Sequence, residues 1–171
     1  GGFVCTHNEK TYHNFKHFIS HGVEDTFDGI FNNFGFNFRM TDILASIGHA
    51  QLDRLESKLF HVKQIYQMYE DGIKNLDYIK MIPVNLALEV PLWIEVIVPK
   101  REELRTYLYN NGIESRKFLP SLHISNYLNP SKDNNFPNSK RFDEQGLFLP
   151  SGPDMSIENV KHVIDALQKY K

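Results

Sequence analysis

The sequence of 171 residues has one cysteine, Cys5, so it holds no internal disulfide and fits a reducing compartment. It has no strong excess of either charge. Nineteen basic side chains against 21 acidic ones leave a net charge of −2, too little to hold nucleic acid or an anionic membrane. Long apolar runs are also missing. The most apolar stretch, residues 90–98, is interrupted by Glu95, and a membrane span needs roughly 20 residues. The apolar start Phe3-Val4-Cys5 is too short for a signal peptide and has no basic flank. The glycines are scattered, with no Walker or Rossmann pattern. These absences predict a cytoplasmic protein with neither nucleic acid nor membrane as a partner.

A hydrophobic fraction of 41% and a charged fraction of 23% are globular values and exclude wholesale disorder. Composition shifts along the chain. All eight prolines fall at or after Pro83, and eight of the 13 phenylalanines fall in the first 40 residues. The break near residue 76 suggests two parts. The first is helical and aromatic, and reads as the tail of one domain plus a linking helix. The second reads as a compact α/β domain of about 95 residues. The abrupt start at Gly1-Gly2, with no initiator Met, reads as a cut inside a larger protein.

Residues 3–6 read as a short strand. Asn8 or Thr6 caps a helix over residues 9–20, which Gly22 ends. Residues 23–38 read as an ordered loop. Thr41 or Asp42 caps a second helix with Leu44, Ile47, Leu52 and Leu55 on its apolar side. A longer helix follows over residues 57–75, carrying Leu59, Val62, Ile65, Tyr66, Tyr69 and Ile73. Residues 92–98 form a buried strand ended by Pro99. Residues 101–111 form a helix closed by Gly112, and 113–117 the next strand. Strand, helix and strand at this spacing suggest a small α/β layer. A polar loop over 129–138 leads to a short strand at Phe148-Leu149. Ser156 then caps a final helix with Val160, Val163, Ile164 and Leu167 facing inward.

His13, His17 and His21 recur every four residues on the first helix, near one stripe. Such a pair can bind a transition metal, with Asp25 or Cys5 as a further ligand. Lys10 and Lys16 lie beside them and no HExxH glutamate is present, so a solvated polar face is the better reading and no metal is expected. Cys5, inside a strand, reads as a small buried hydrophobe rather than a nucleophile. Ser115 and Ser121 lie near His123 in sequence, but neither has nucleophile-elbow glycines around it, so no hydrolase triad is expected. Residues 35–42 combine a glycine, the amide of Asn37 and a capped helix start. A helix N-terminus with an amide just ahead of it can hold an anion such as phosphate. The competing reading is a structural turn.

Taken together, these segments resemble the DegT/DnrJ/EryC1/StrS sugar aminotransferase family. The match is closest at Gly35-Phe36-Asn37-Phe38-Arg39-Met40-Thr41-Asp42, against the family's Gly-Tyr-Asn-Tyr-Arg-Met-Thr-Asp. It continues through Ala45, Gly48, Gln51 and Leu52. Gly1 to Glu9 resembles the Gly-Gly-strand-turn that follows the cofactor lysine, and His21-Gly22 a His-Gly helix end. Gly112-Ile113-Glu114-Ser115-Arg116, Pro120-Ser121-Leu122-His123 and Leu149-Pro150-Ser151 resemble later family stretches. Ile19 stands where a basic residue is common, and Ser125 where a Gln is common.

The resemblance implies the C-terminal portion of a fold-type-I, aspartate-aminotransferase-like enzyme that uses pyridoxal phosphate (PLP). Residues 1–55 would be the tail of the large PLP-binding domain. Residues 56–171 would be a linking helix and a small α/β domain. The Schiff-base lysine would lie upstream of Gly1, leaving no catalytic residue in this segment. Asn37 would reach the cofactor phosphate of the neighbouring subunit of a homodimer. Arg39 would support that loop or a substrate anion, and His123 would lie near the nucleotide-sugar. The parent would move an amino group, with glutamate as the donor, onto a keto group of a nucleotide-linked deoxysugar, as perosamine-type enzymes of polysaccharide biosynthesis do. The alternative is an inactive binding or dimerisation domain from a truncated gene.

Overall fold

The computed structural model describes residues 2–23, 31, 33–125 and 135–170. The chain divides into two compact units, Gly1–Leu55 and Glu56–Lys171.

In the first unit, Asn8 caps α1 (Glu9–Ile19), its Oδ1 accepting the Thr11 N–H at 2.9 Å. The helix stops at Ile19 because the backbone turns left-handed, with φ of 59° at His21 and 76° at Gly22. The Gly22 N–H then closes back onto the His17 carbonyl at 2.8 Å. His21 is therefore off the helix and leaves the expected histidine stripe. Residues 3–6 form no strand. A strand needs a partner for its polar backbone, and the edge of residues 36–38 is paired with residues 18–21 instead. Cys5 is exposed, not a buried hydrophobe. Thr41 caps α2 (Asp42–Leu52), its Oγ1 accepting the Leu44 N–H at 3.3 Å. Neither helix buries a residue, and Leu44 and Ile47 are each 56% exposed. Val23 is the one buried hydrophobe among the described residues of this unit.

The core lies in the second unit. Its elements are α3 (Leu55–Ile73, whose first residue closes the first unit), β1 (Lys80–Met81), β2 (Ile94–Ile97), α4 (Arg101–Asn110), β3 (Arg116–Lys117), α5 (Pro137–Gln145), β4 (Gly146–Leu149) and α6 (Ile157–Lys169). The four strands form one sheet in the order β1-β2-β4-β3, every neighbouring pair antiparallel. The strand–helix–strand unit read from sequence is present as β2-α4-β3, but β4 inserts between its two strands. Strand alternation sends Ile94, Val96, Leu147 and Leu149 into one core with Ile65, Tyr69 and Ile73 of α3, Leu104 and Leu108 of α4, and Val160, Val163 and Leu167 of α6.

The strand expected over 113–117 shrinks to two residues for a local reason. Gly112, at φ 74°, ends α4, and the Ile113 N–H is spent on the Leu108 carbonyl at 2.9 Å, so it cannot join the ladder. Tyrosine hydroxyls tie the layers at their polar edges. Tyr78 donates to the Leu167 carbonyl at 2.5 Å and Tyr107 to that of Ala166 at 3.2 Å, so both satisfy the end of α6. Burial pushes the Tyr78 hydroxyl up to about 12. Arg101 is buried at the start of α4, where its guanidinium donates to the carbonyls of Asp143 and Gly146 and clamps the end of α5 to β4. Among the described residues, no helix is long and apolar enough to cross a membrane.

Candidate functional site

The segment holding Asn37 is latched to the end of α1. Phe36 donates its N–H to the Phe18 carbonyl at 2.7 Å and accepts from the His21 N–H at 2.9 Å, and the Phe38 N–H reaches the Ile19 carbonyl at 3.0 Å. Asn37 lies directly opposite Ser20 in this short antiparallel bridge. Two glycines permit the close approach. A Cβ on Gly35 would lie 2.2 Å from the Gly22 nitrogen, and a Cβ on Gly22 would lie 1.7 Å from the Asn33 carbonyl oxygen. The Asn33 amide also donates to His17 Nδ1 at 3.3 Å. Phe34, Phe36 and Phe38 cluster around Phe18, with ring centroids 5.2 Å apart for Phe18 and Phe36 and 4.8 Å for Phe36 and Phe38. The side chains of Asn37 and Arg39 remain exposed.

The second unit holds a cavity of about 480 Å³. Its walls come from Trp93 before β2, Glu114, Ser115 and Arg116 at β3, and Leu149, Pro150 and Ser151 after β4, with Leu119, Phe148 and Met155. Pairing across β2, β4 and β3 sets Glu95, Phe148 and Arg116 in one row on the sheet face opposite the core. Trp93 leans on Phe148 at 5.2 Å, and Phe148 stacks on Phe118 at 4.5 Å. Strand β2 starts at Ile94, whose N–H donates to Ser151 Oγ at 3.3 Å, so Trp93 is released from the sheet and stays 54% exposed at the mouth. His123 lies on a single 3₁₀ turn, half-buried, its ring 5.1 Å from that of Phe136. The Ser121 hydroxyl donates to the Ser139 carbonyl at 2.9 Å, which commits its proton to α5. Asn37 and Arg39 thus belong to the first unit and His123 to the second. Among the described residues, no group of three His, Cys, Asp or Glu side chains is placed to hold a metal ion.

The sequence places Trp93 within a buried strand and gives no sign that it meets Ser115 and Ser151. An aromatic just ahead of a strand, followed by Glu95 at the second strand position, was the available signal.

Glu95 is half-buried in that row, and desolvation raises its carboxyl pKa. A folded-state pKa above the unfolded one means stability is lost as pH rises through the raised value. Glu95→Gln is therefore expected to melt higher than the parent at pH 7. The advantage should vanish below the ordinary glutamate pKa of 4.5. Thermal melts of both proteins at the two pH values check this, and equal melting at pH 7 contradicts the burial penalty.

Residues 1–168 match the DegT/DnrJ/EryC1/StrS aminotransferase family. The chain belongs to that family. Among its relatives, the GDP-perosamine synthase of Escherichia coli O157:H7 is 26% identical over 174 residues, covering 99% of this chain and 47% of the relative. That of Vibrio cholerae is 29% identical over 147 residues, covering 79% and 38%. Among solved structures, DesV of S. venezuelae superposes with a TM-score of 0.79 at 23% identity, covering 96% of this chain and 45% of that one. Spr1654 of Streptococcus pneumoniae, in its PLP form, superposes with a TM-score of 0.78 at 25% identity, covering 95% and 43%. The chain spans about half the length of the relatives it matches, and carries a partial α/β fold of the PLP sugar aminotransferases. The DegT-family latch joins two of the segments that carry the resemblance, His21-Gly22 and residues 35–38. The cavity joins two others, residues 114–116 and 149–151.

Proposed function

We propose that the chain is the C-terminal part of a PLP-dependent aminotransferase that moves an amino group from an amino acid, glutamate by preference, to a keto group of a nucleotide-linked deoxysugar in amino-sugar and polysaccharide biosynthesis. On this reading residues 1–55 complete the large cofactor-binding domain. Residues 56–171 are the linking helix and small domain, and the working enzyme is a cytoplasmic homodimer.

The observation that carries the sugar reading is the make-up of the cavity. The indole of Trp93 offers an apolar platform, and the hydroxyls of Ser115 and Ser151 are short donors and acceptors. The formal charges of Glu114 and Arg116 cancel. A neutral, half-apolar site with several hydrogen-bonding groups suits a hexose ring better than a phosphate. Leu119 and Met155 add apolar wall for a deoxygenated carbon.

PLP, when bound, supplies the electron sink for transamination. Its ring needs a lysine, and none lines the cavity. Lys74, Lys100, Lys117 and Lys140 pair with carboxylates, and Lys63 donates to the Leu86 carbonyl. The residues present therefore fit the rim of a cofactor site rather than the ring's own pocket. Asn37 fits a phosphate contact, because its amide is exposed on a backbone pinned at both neighbours. Arg39, two residues on, would support that loop or hold a substrate anion. His123 would sit beside the nucleotide-sugar.

Trp93 is the only tryptophan of the chain, so its emission reports on this cavity. Titration with GDP-mannose and with free mannose is expected to change the emission saturably, and GDP alone is expected to leave it unchanged. No response to either sugar overturns the sugar reading of the cavity and favours an inactive binding domain.

A further inference from the structure

We propose that His61 is a positioning residue for the cavity, although it contributes nothing to the lining. The wall formed by Leu149, Pro150, Ser151 and Met155 belongs to a short segment between β4 and α6. Gly152, at φ 150°, and Pro153 leave that segment without a regular ladder of its own. It is held from behind by α3. Tyr69 Oη donates to the Pro150 carbonyl at 2.8 Å, and His61 Nε2 donates to the Met155 carbonyl at 2.7 Å. The two donors are eight residues apart on α3, with buried Ile65 between them, so they lie on one stripe and grip the segment near both ends. Ser151 is fixed separately by the Ile94 N–H.

The two grips differ in kind. Tyr69 is wholly buried and belongs to the core. His61 is half-buried, and its bond is the one α3 makes beside Met155. Releasing that bond loosens the Met155 side of the cavity, leaving it the packing of Met155 against the core and the Met155 N–H bond to the Gly152 carbonyl, while the core keeps Tyr69, Ile65 and Ile73. The inference rests on the reading of the cavity as a sugar site. The grip itself can be tested apart from that reading.

The test compares the parent chain with His61→Gln, which keeps an N–H donor, and with His61→Leu and His61→Met, which keep bulk and lose it. GDP-mannose is titrated against Trp93 emission, and amide exchange is followed at Met155 and Asn159. The Leu and Met variants are expected to melt near the parent and bind the sugar nucleotide about fivefold more weakly, the equilibrium cost of one hydrogen bond. They should also exchange faster at Met155. His61→Gln should restore both readouts to within about twofold. Equal behaviour of the Gln and Leu variants, or parent-like binding by all three, overturns the positioning role. Should the parent itself give no response to GDP-mannose, the sugar reading fails and exchange decides the grip. Faster exchange in Leu and Met but not in Gln upholds it, and uniform exchange overturns it. If Leu fails to fold, Met carries the comparison.

Discussion

Gly35→Ala is expected to detach the Asn37 segment from α1. The added Cβ would meet the Gly22 nitrogen at 2.2 Å and the backbone of His17 and His21 at 2.8 Å. Those are main-chain atoms, so no side-chain rotation relieves the overlap. The chain must give up the approach, and with it the three bonds joining Phe36 and Phe38 to Phe18, Ile19 and His21. At a net value of about 1 kcal/mol each, their loss amounts to about 3 kcal/mol, or roughly 100-fold in the opening equilibrium. Amide exchange at His21, Phe36 and Phe38 reads this directly. Gly48→Ala is the control. Nothing lies within 4 Å of a Cβ there, and the site is inside α2, so alanine should stabilise slightly. Unchanged exchange at Phe36 and Phe38 in Gly35→Ala contradicts the glycine contact.

The second large effect concerns Asn37 in the full-length parent and tests the proposed phosphate role. An amide donating to a phosphate dianion is worth roughly 1.5–3 kcal/mol. Asn37→Ala should therefore weaken PLP affinity about 10- to 100-fold. Asn37→Asp should be worse, since it sets a carboxylate against the anion. Subunit mixing separates the two possible geometries. Subunits carrying Asn37→Asp are combined with subunits lacking the cofactor lysine. If the amide acts across the dimer, both defects fall in one site and the other site is intact, so each mixed dimer recovers up to about half the activity of a normal dimer. If it acts within its own subunit, each site has one defect and the mixture stays dead. Failure to recover, with subunit exchange verified, overturns the contact across the dimer, and unchanged PLP affinity in Asn37→Ala leaves Asn37 as a turn residue only.

What could be read from the chain followed its locality. Ser156 caps as expected, and of the paired candidates at the first two helices it is Asn8 rather than Thr6 and Thr41 rather than Asp42 that cap. The period of Val160, Val163, Ile164 and Leu167 is long enough to place α6 and its buried face. Pairing is not local, and the strands suffered for it. Residues 3–6 have strand composition without a partner. Lys80 and Met81 have no strand composition, yet pair with Ile97 and Val96. Helix α5 has no apolar period in the sequence, because Pro137 to Gln145 is polar and buries no residue. The cavity was legible only in pieces. Its walls come from three stretches of chain, and the strand order that joins them has no signature in any one of them.

The strand order also sets a timetable. Strand β4 pairs with both β2 and β3, yet of these four strands it is the last to be synthesised. While the ribosome is still making residues 98–145, β2 has only the two-residue β1 beside it, and its other edge stands open. An open apolar edge is an invitation to pair with another chain. Long-range pairing of this kind is slow to form. The half-made sheet is therefore the species expected to aggregate most readily. Glu95, so awkward in the finished sheet, places a charge in the middle of that edge for as long as it waits.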